Sequence, residues 1–194
     1  MKDGRVSGIV AGVVMLTVLL GATVAQADSV FVSIRGTKQG QFRGEAPQVN
    51  VKDKLVGVAF RYELTSPRDA ATGMATGKRV HKPVVITKEW GAASPQLFQA
   101  LVTNEVLQEV VIDFVGVNAN GESYLTHRIR LTNATVVNIA HFSEGIGPGT
   151  TGAKHASGSS GLRHLEEVSF VFQRIDLEDM NGKTTAVDEW RPVQ

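Results

Sequence analysis

The sequence predicts a mainly β domain that carries one short helix, and three observations support this. Valine, isoleucine and phenylalanine recur with a period of two along most of the chain, sending alternate side chains to opposite faces of extended strands. Two Asn-Gly pairs, Asn120-Gly121 and Asn181-Gly182, stand between such runs, where a tight hairpin turn needs positive φ at both central residues. One stretch, His81 to Val102, carries a single helix signal, at Ser94 to Val102.

The N-terminus stands apart from the domain. Lys2 and Arg5 precede an uncharged run from Val6 to Gln26, most apolar between Ile9 and Leu20, and Ala25-Gln26-Ala27 follows. This is the pattern of a secretory signal with cleavage after Ala27, since the apolar run is short of the roughly 20 residues a spanning helix needs. An uncleaved membrane anchor and a start codon placed too far upstream are the alternatives. Residues 28–194 then form a single domain, long enough to bury roughly 70% of its unfolded surface without covalent staples.

Lys2, Asp3 and Arg5 fall in the leading segment, which leaves 18 basic and 18 acidic residues in the remainder. A neutral domain lacks the positive field on which non-specific nucleic-acid or membrane-surface binding depends, so contact with a membrane is confined to residues 1–27. The chain has no cysteine, which excludes disulfides, thiolate catalysis and cysteine metal sites.

The clearest strand runs are Val30-Val32-Ile34, Val56-Val58-Phe60-Tyr62, Val110-Ile112-Phe114, Leu125-His127-Ile129-Leu131 and Val168-Phe170-Phe172. With the Asn-Gly turns they predict hairpins over 109–131 and 165–190. Between the strands, Ser94-Pro95 starts the helix: serine is suited to cap free N–H groups, and proline fits the first turn without losing a bond. Leu97, Ala100 and Leu101 follow at helical spacing, so a short amphipathic helix packs on a closed or double sheet, covering a barrel end or a sheet edge. Two segments, 65–79 and 143–161, are small, polar and glycine-rich. The second holds six glycines and buries too little to offset its ordering entropy, which predicts mobility unless a partner holds it.

Catalytic and metal signatures are absent from the sequence. "GPGTTGAKH" fails the phosphate-loop pattern, because Ala153 stands where lysine should follow the glycine and no hydroxyl follows Lys154. His81, His127, His141, His155 and His164 show no metal-ligand spacing, and His127, in phase with Leu125 and Ile129, reads as a hydrogen-bonded inward histidine. No G-x-S-x-G elbow occurs. Glu166-Glu167 and Asp188-Glu189 place their carboxylates on opposite strand faces and read as surface charges. No cofactor is implied, and a binding or structural role is favoured over catalysis.

At "GKRVHKPVVITKEW" and "SPQLFQAL" the chain resembles the haemolysin-coregulated protein (Hcp) family, the tube protein of bacterial type VI secretion systems. The resemblance runs through Gly77, Arg79, His81, Pro83, Thr87-Lys88-Glu89 and Ser94-Pro95 with Leu97 and Ala100, then Gly121, Tyr124, Leu131, Asn133-Ala134 and Val136, and ends with His164, Glu166, Val168, Phe170, Gly182, Asp188 and Trp190. It departs from the family pattern at Trp90-Gly91-Ala92-Ala93, before the helix. The resemblance implies a compact β-barrel of two antiparallel sheets with one short helix at its side, forming homohexameric rings that stack into a hollow tube. Arg79, His81, Lys88, Glu89, Ser94 and Pro95 then become candidates for the boundary between subunits. Ser66, Arg68, Asp69 and Met74 become candidates for a loop reaching the next ring. Sheath, spike and effector proteins are the implied partners, and secretion is the implied destination.

Family members start close to the first strand and assemble in the cytoplasm, whereas a cleaved signal would route this chain through the periplasm. The competing readings are therefore a secreted tube subunit without catalysis, an exported β-barrel binding module unrelated to tube assembly, and, last, an exported hydrolase with a site gathered from distant strands.

Overall fold

The computed structural model describes residues 29–46, 52–118, 120–145 and 162–190. The leading segment 1–27, the cleavage candidate Ala27 and most of the glycine-rich segment, 146–161, lie outside these described residues.

The elements in chain order are β1 (Ser29–Gly36), β2 (Gly40–Gln41), β3 (Leu55–Arg61), β4 (Leu64–Thr65), β5 (Val80–His81), β6 (Val84–Glu89), α1 (Ser94–Val102), β7 (Leu107–Val117), β8 (Ser123–Gly145), β9 (Leu162–Val171), β10 (Arg174–Asp179) and β11 (Thr184–Glu189). The strands β8-β7-β1-β3-β6-β9 pair in that order, and β9 pairs back onto β8, so the sheet closes into an antiparallel barrel. Closure is possible because β8 is long. Its first part pairs with β7 and β10, and from Thr135 to Gly145 it pairs with β9. Asn133, at φ +49, and a register shift between Val136 and Asn138 mark the change. The two halves of the barrel thus share one continuous strand, and β10 and β11 extend the sheet beyond the closed ring of strands.

Val32, Ile34, Leu55, Ile86, Val110, Ile112, Leu131, Val136, Val168, Phe170 and Ile175 fill the interior, as period-two alternation requires. One run changes phase. In β3 the register shifts between Gly57 and Ala59, so Leu55 and Phe60 turn toward the core while Val56 and Val58 are exposed.

The first expected hairpin forms, β7 pairing with β8, but with a longer turn, and the second has other bounds. The β7–β8 turn is a five-residue loop, 118–122, and not a two-residue turn. Asn118 Oδ1 accepts from the N–H groups of Asn120 and Glu122, and Gly121 takes φ +82. The second hairpin spans 174–189, because Val168 and Phe170 belong to β9, which pairs with β6 and β8. Its turn occupies Met180 to Lys183, where Asp179 Oδ1 accepts from Gly182 N–H and Lys183 takes the positive φ.

α1 packs against β8 and buries one face in the barrel. Ser94, Leu97 and Ala100 are its buried positions. Leu97 enters the barrel beside Val32, Ile34, Leu55, Ile86 and Phe170, a burial that stabilises by about 1.5–3 kcal/mol. The expected Ser94 cap is not formed. Ala93 occupies the N-cap position, and the serine hydroxyl is turned into the barrel.

Candidate functional site

The segment 65–79 is no open loop but the greater part of a β-hairpin arm. β4 pairs with β5, Lys82 N–H donates to Glu63 O, and Thr76 N–H donates to Pro67 O. Farther out, Arg68 bridges Ala75 and Asp69 N–H donates to Met74 O. The tip is held by Asp69, whose Oδ1 accepts from the N–H groups of Ala71 and Thr72 and from the Thr72 hydroxyl; those bonds lower its pKa. Arg68 donates to Gly73 O, where φ is +70. Ser66, Arg68, Asp69 and Met74 are all exposed, Met74 at 70%. A chain of small and polar residues with both strand faces in water gains little from its own packing, and its order comes from this hydrogen-bond ladder.

At the base of the arm, Arg79 makes a bidentate ion pair with Asp188 of β11. His81 Nε2 lies 2.8 Å from the same carboxylate and its Nδ1 2.5 Å from the Tyr62 hydroxyl. The hydrogen bond from Arg79 is the main cause that lowers the Asp188 pKa to about 2. Burial, and then the nearby Asp188 charge, raise that of Tyr62. Phe172 and Trp190 pack edge-on against His81, with ring centroids 5.5 and 5.8 Å away. Asp188 is therefore a paired group and not a free surface charge.

Lys88 and Ser94, two of the candidates for a subunit boundary, are buried inside the subunit. The Lys88 ammonium lies 3.0 Å from Glu166 Oε1 and donates to the carbonyl of Glu89 at 2.6 Å. Ser94 donates to Glu166 at 2.8 Å and accepts from Gly91 N–H at 2.9 Å. His141 approaches the other Glu166 oxygen at 3.2 Å, and the Trp90 ring packs against His141 at a tilt of 41°, with centroids 4.5 Å apart. The departure Trp90-Gly91-Ala92-Ala93 thus borders, through Trp90 on His141 and Gly91 on Ser94, an internal ion pair that ties β6 and β9 to the start of α1. Glu166 has no surface role, while Glu167 on the opposite face pairs with Arg61. Glu89 and Pro95 stay at the surface, Glu89 bonded to Arg163.

His127 lies on the expected face but is half exposed, because β10 and β11 extend past the closed part of the barrel. There it lines an open cavity of about 570 Å³ with Phe114, Ile129, Leu177 and Ala186, 3.4 Å from Asp179. The outward face of α1 carries Phe98 and Val102, one helical turn apart and each 54% exposed.

Comparison with known proteins agrees with this architecture. A sequence model of the family described as "Type VI secretion system effector, Hcp" matches residues 31–178. The "Major exported protein" of Pseudomonas aeruginosa is 32% identical over 174 residues, covering 85% of this chain and 96% of that protein. Among solved structures, the secreted protein Hcp3 from Pseudomonas aeruginosa superimposes with a TM-score of 0.65 at 28% identity, covering 86% of this chain and 100% of its own. A crystal structure of an Hcp protein shares the fold, with a TM-score of 0.70 at 23% identity over 84% of this chain and all of that one. The chain belongs to the Hcp family and is a secreted tube component of the type VI secretion system.

Proposed function

We propose that this chain is the repeating subunit of a hollow tube, closing into six-membered rings that stack through the arm spanning Glu63 to Lys82. The observation that carries this reading is the arm itself: a hydrogen-bonded hairpin whose side chains are almost all in water, ending in an exposed Met74 beside Arg68 and Asp69. Beyond its base, where Arg79 and His81 bind Asp188, such a structure gains little for its own subunit and is suited to reach another. A heterologous contact repeated around a ring needs two different faces of one subunit. Pro95, Phe98 and Val102 on α1 provide an exposed, mostly apolar patch for one of them. Copies of the chain are the first partners, and sheath, spike and effector proteins act on the finished tube. The role is structural.

Residues 1–27 separate this reading from that of an exported β-barrel binding module, because removal of a signal after Ala27 would carry the chain into the periplasm before any tube is built. An N-terminal sequence of secreted material starting near Met1 supports the tube subunit, and one starting at Asp28 supports the binding module. For assembly, deletion of 66–76 leaves a folded subunit and intact rings but shortens the tubes seen by electron microscopy. Tubes as long as the parent's after that deletion contradict the role given to the arm.

A further inference from the structure

The arm and the barrel belong to different sheets, with a hinge between them. The β3–β6 ladder ends at Arg61 opposite Val85, and the β4–β5 ladder starts at Leu64 opposite His81. Tyr62-Glu63 and Lys82-Pro83 bridge the gap, where Lys82 N–H donates to Glu63 O at 3.0 Å and Pro83 has no N–H to add. A hairpin hung on such a gap swings more easily than one continuing an unbroken ladder.

Side chains on the arm side of that hinge reach back to the barrel. Arg79 and His81 both bind the Asp188 carboxylate of β11, which sits on the far side of the gap. An ionised carboxylate only accepts, so His81 Nε2 donates to it, while Nδ1 and the Tyr62 hydroxyl share a second hydrogen bond. The Trp190 ring packs edge-on against the histidine, and the backbone N–H of Trp190 donates to Gln173 O at 2.8 Å, fixing the end of β11. The His81 side chain is only 5% exposed, which makes this a built contact and not a chance surface pairing.

We propose that Asp188 is a latch across this hinge, setting the direction in which the arm leaves the barrel, so that Arg79 and His81 serve assembly within their own subunit and not as partners of a neighbour. Asp188 is thus a positioning residue, acting through the arm. The inference rests on the reading that the arm contacts the next ring.

The absence of native cysteine allows a direct test. Spin labels on Ala71→Cys at the arm tip and Ser123→Cys at the barrel, in full-length chains diluted into unlabelled rings, report the arm–barrel distance by pulsed electron resonance. With the latch intact the distribution is narrow; Asp188→Ala widens it by roughly twofold or more and shortens the tubes while ring mass is kept. An unchanged distribution in Asp188→Ala overturns the latch. A widened distribution with tubes of parental length, both in Asp188→Ala and after deletion of 66–76, upholds the latch and overturns the inter-ring role of the arm. If Asp188→Ala fails to fold, Arg79→Gln, altered on the solvent side, decides by the same measurement: widening supports the latch and a parental distribution overturns it.

Discussion

The Lys88 ammonium lies 3.0 Å from Glu166 Oε1, with 1% and 0% of the two side chains exposed. Two charges taken out of water hold their place only when each finds further partners, and here Ser94, His141 and the Glu89 carbonyl provide them. Removing one partner leaves the other charge buried. Lys88→Met or Glu166→Leu alone is expected to cost about 3–5 kcal/mol, whereas the two together cost much less. Urea unfolding of the three variants checks this, and additive losses argue against the pair.

Gly44 has no room for a side chain. A Cβ there would lie 2.0 Å from the Lys54 carbonyl carbon and 2.5 Å from Leu55 N, both backbone atoms. At Gly91 the obstacle is the Glu45 side chain, 2.1 Å away at Oε1, which can move. Gly44→Ala is therefore expected to cost about 2–4 kcal/mol and Gly91→Ala about 1 kcal/mol. Thermal melts of the two variants compare them directly, and an equal loss contradicts the distinction.

Asp113 is buried between Lys54 and Arg128, each 2.7 Å away. Burial alone raises its pKa, but the hydrogen bonds from Arg128 and Lys54 outweigh burial and hold it below the ordinary 3.8. A depressed carboxylate contributes stability above its unfolded pKa and loses it as pH falls through the folded one. Asp113→Asn is expected to destabilise by about 2 kcal/mol at pH 7 and by clearly less near pH 3, measured by urea unfolding at both pH values. A loss that does not change with pH contradicts the assignment.

Phe98 and Val102 project from α1 into water, opposite the Leu97 and Ala100 face that fills the barrel. Phe98→Asp is expected to change unfolding stability by at most about 0.5 kcal/mol, as surface substitutions do, while lowering the ring population in solution. Mass photometry beside a thermal melt separates the two effects. Rings as abundant as the parent's remove α1 from the lateral contact.

What the sequence revealed follows from how far apart the interacting residues lie. Leu97 and Ala100 repeat within one helix, and Val110-Ile112 and Val168-Phe170 alternate within one strand, so local spacing is enough to place them. The Lys88–Glu166 pair joins residues 78 positions apart, and Arg79–Asp188 joins residues 109 apart. No periodicity marks either contact, which is why Lys88 reads as a subunit-boundary candidate and Glu166 and Asp188 as surface charges. Ser94 has the composition of a cap, yet Glu166, brought close only by barrel closure, takes its hydroxyl. The phase of β3 depends on a bulge, and a bulge leaves no mark in the alternation beyond the small Gly57 and Ala59. The arm was visible as an unusual segment; its hydrogen-bond ladder was not, since Arg68, Asp69 and Thr72 have turn and strand uses alike.

The mass of the purified full-length protein in solution tests the central claim most directly. Assembly as proposed gives a closed species of six subunits across a wide concentration range, with longer stacks as concentration rises. A protein that stays monomeric at every concentration, while keeping the β-rich circular dichroism of the folded barrel, contradicts it.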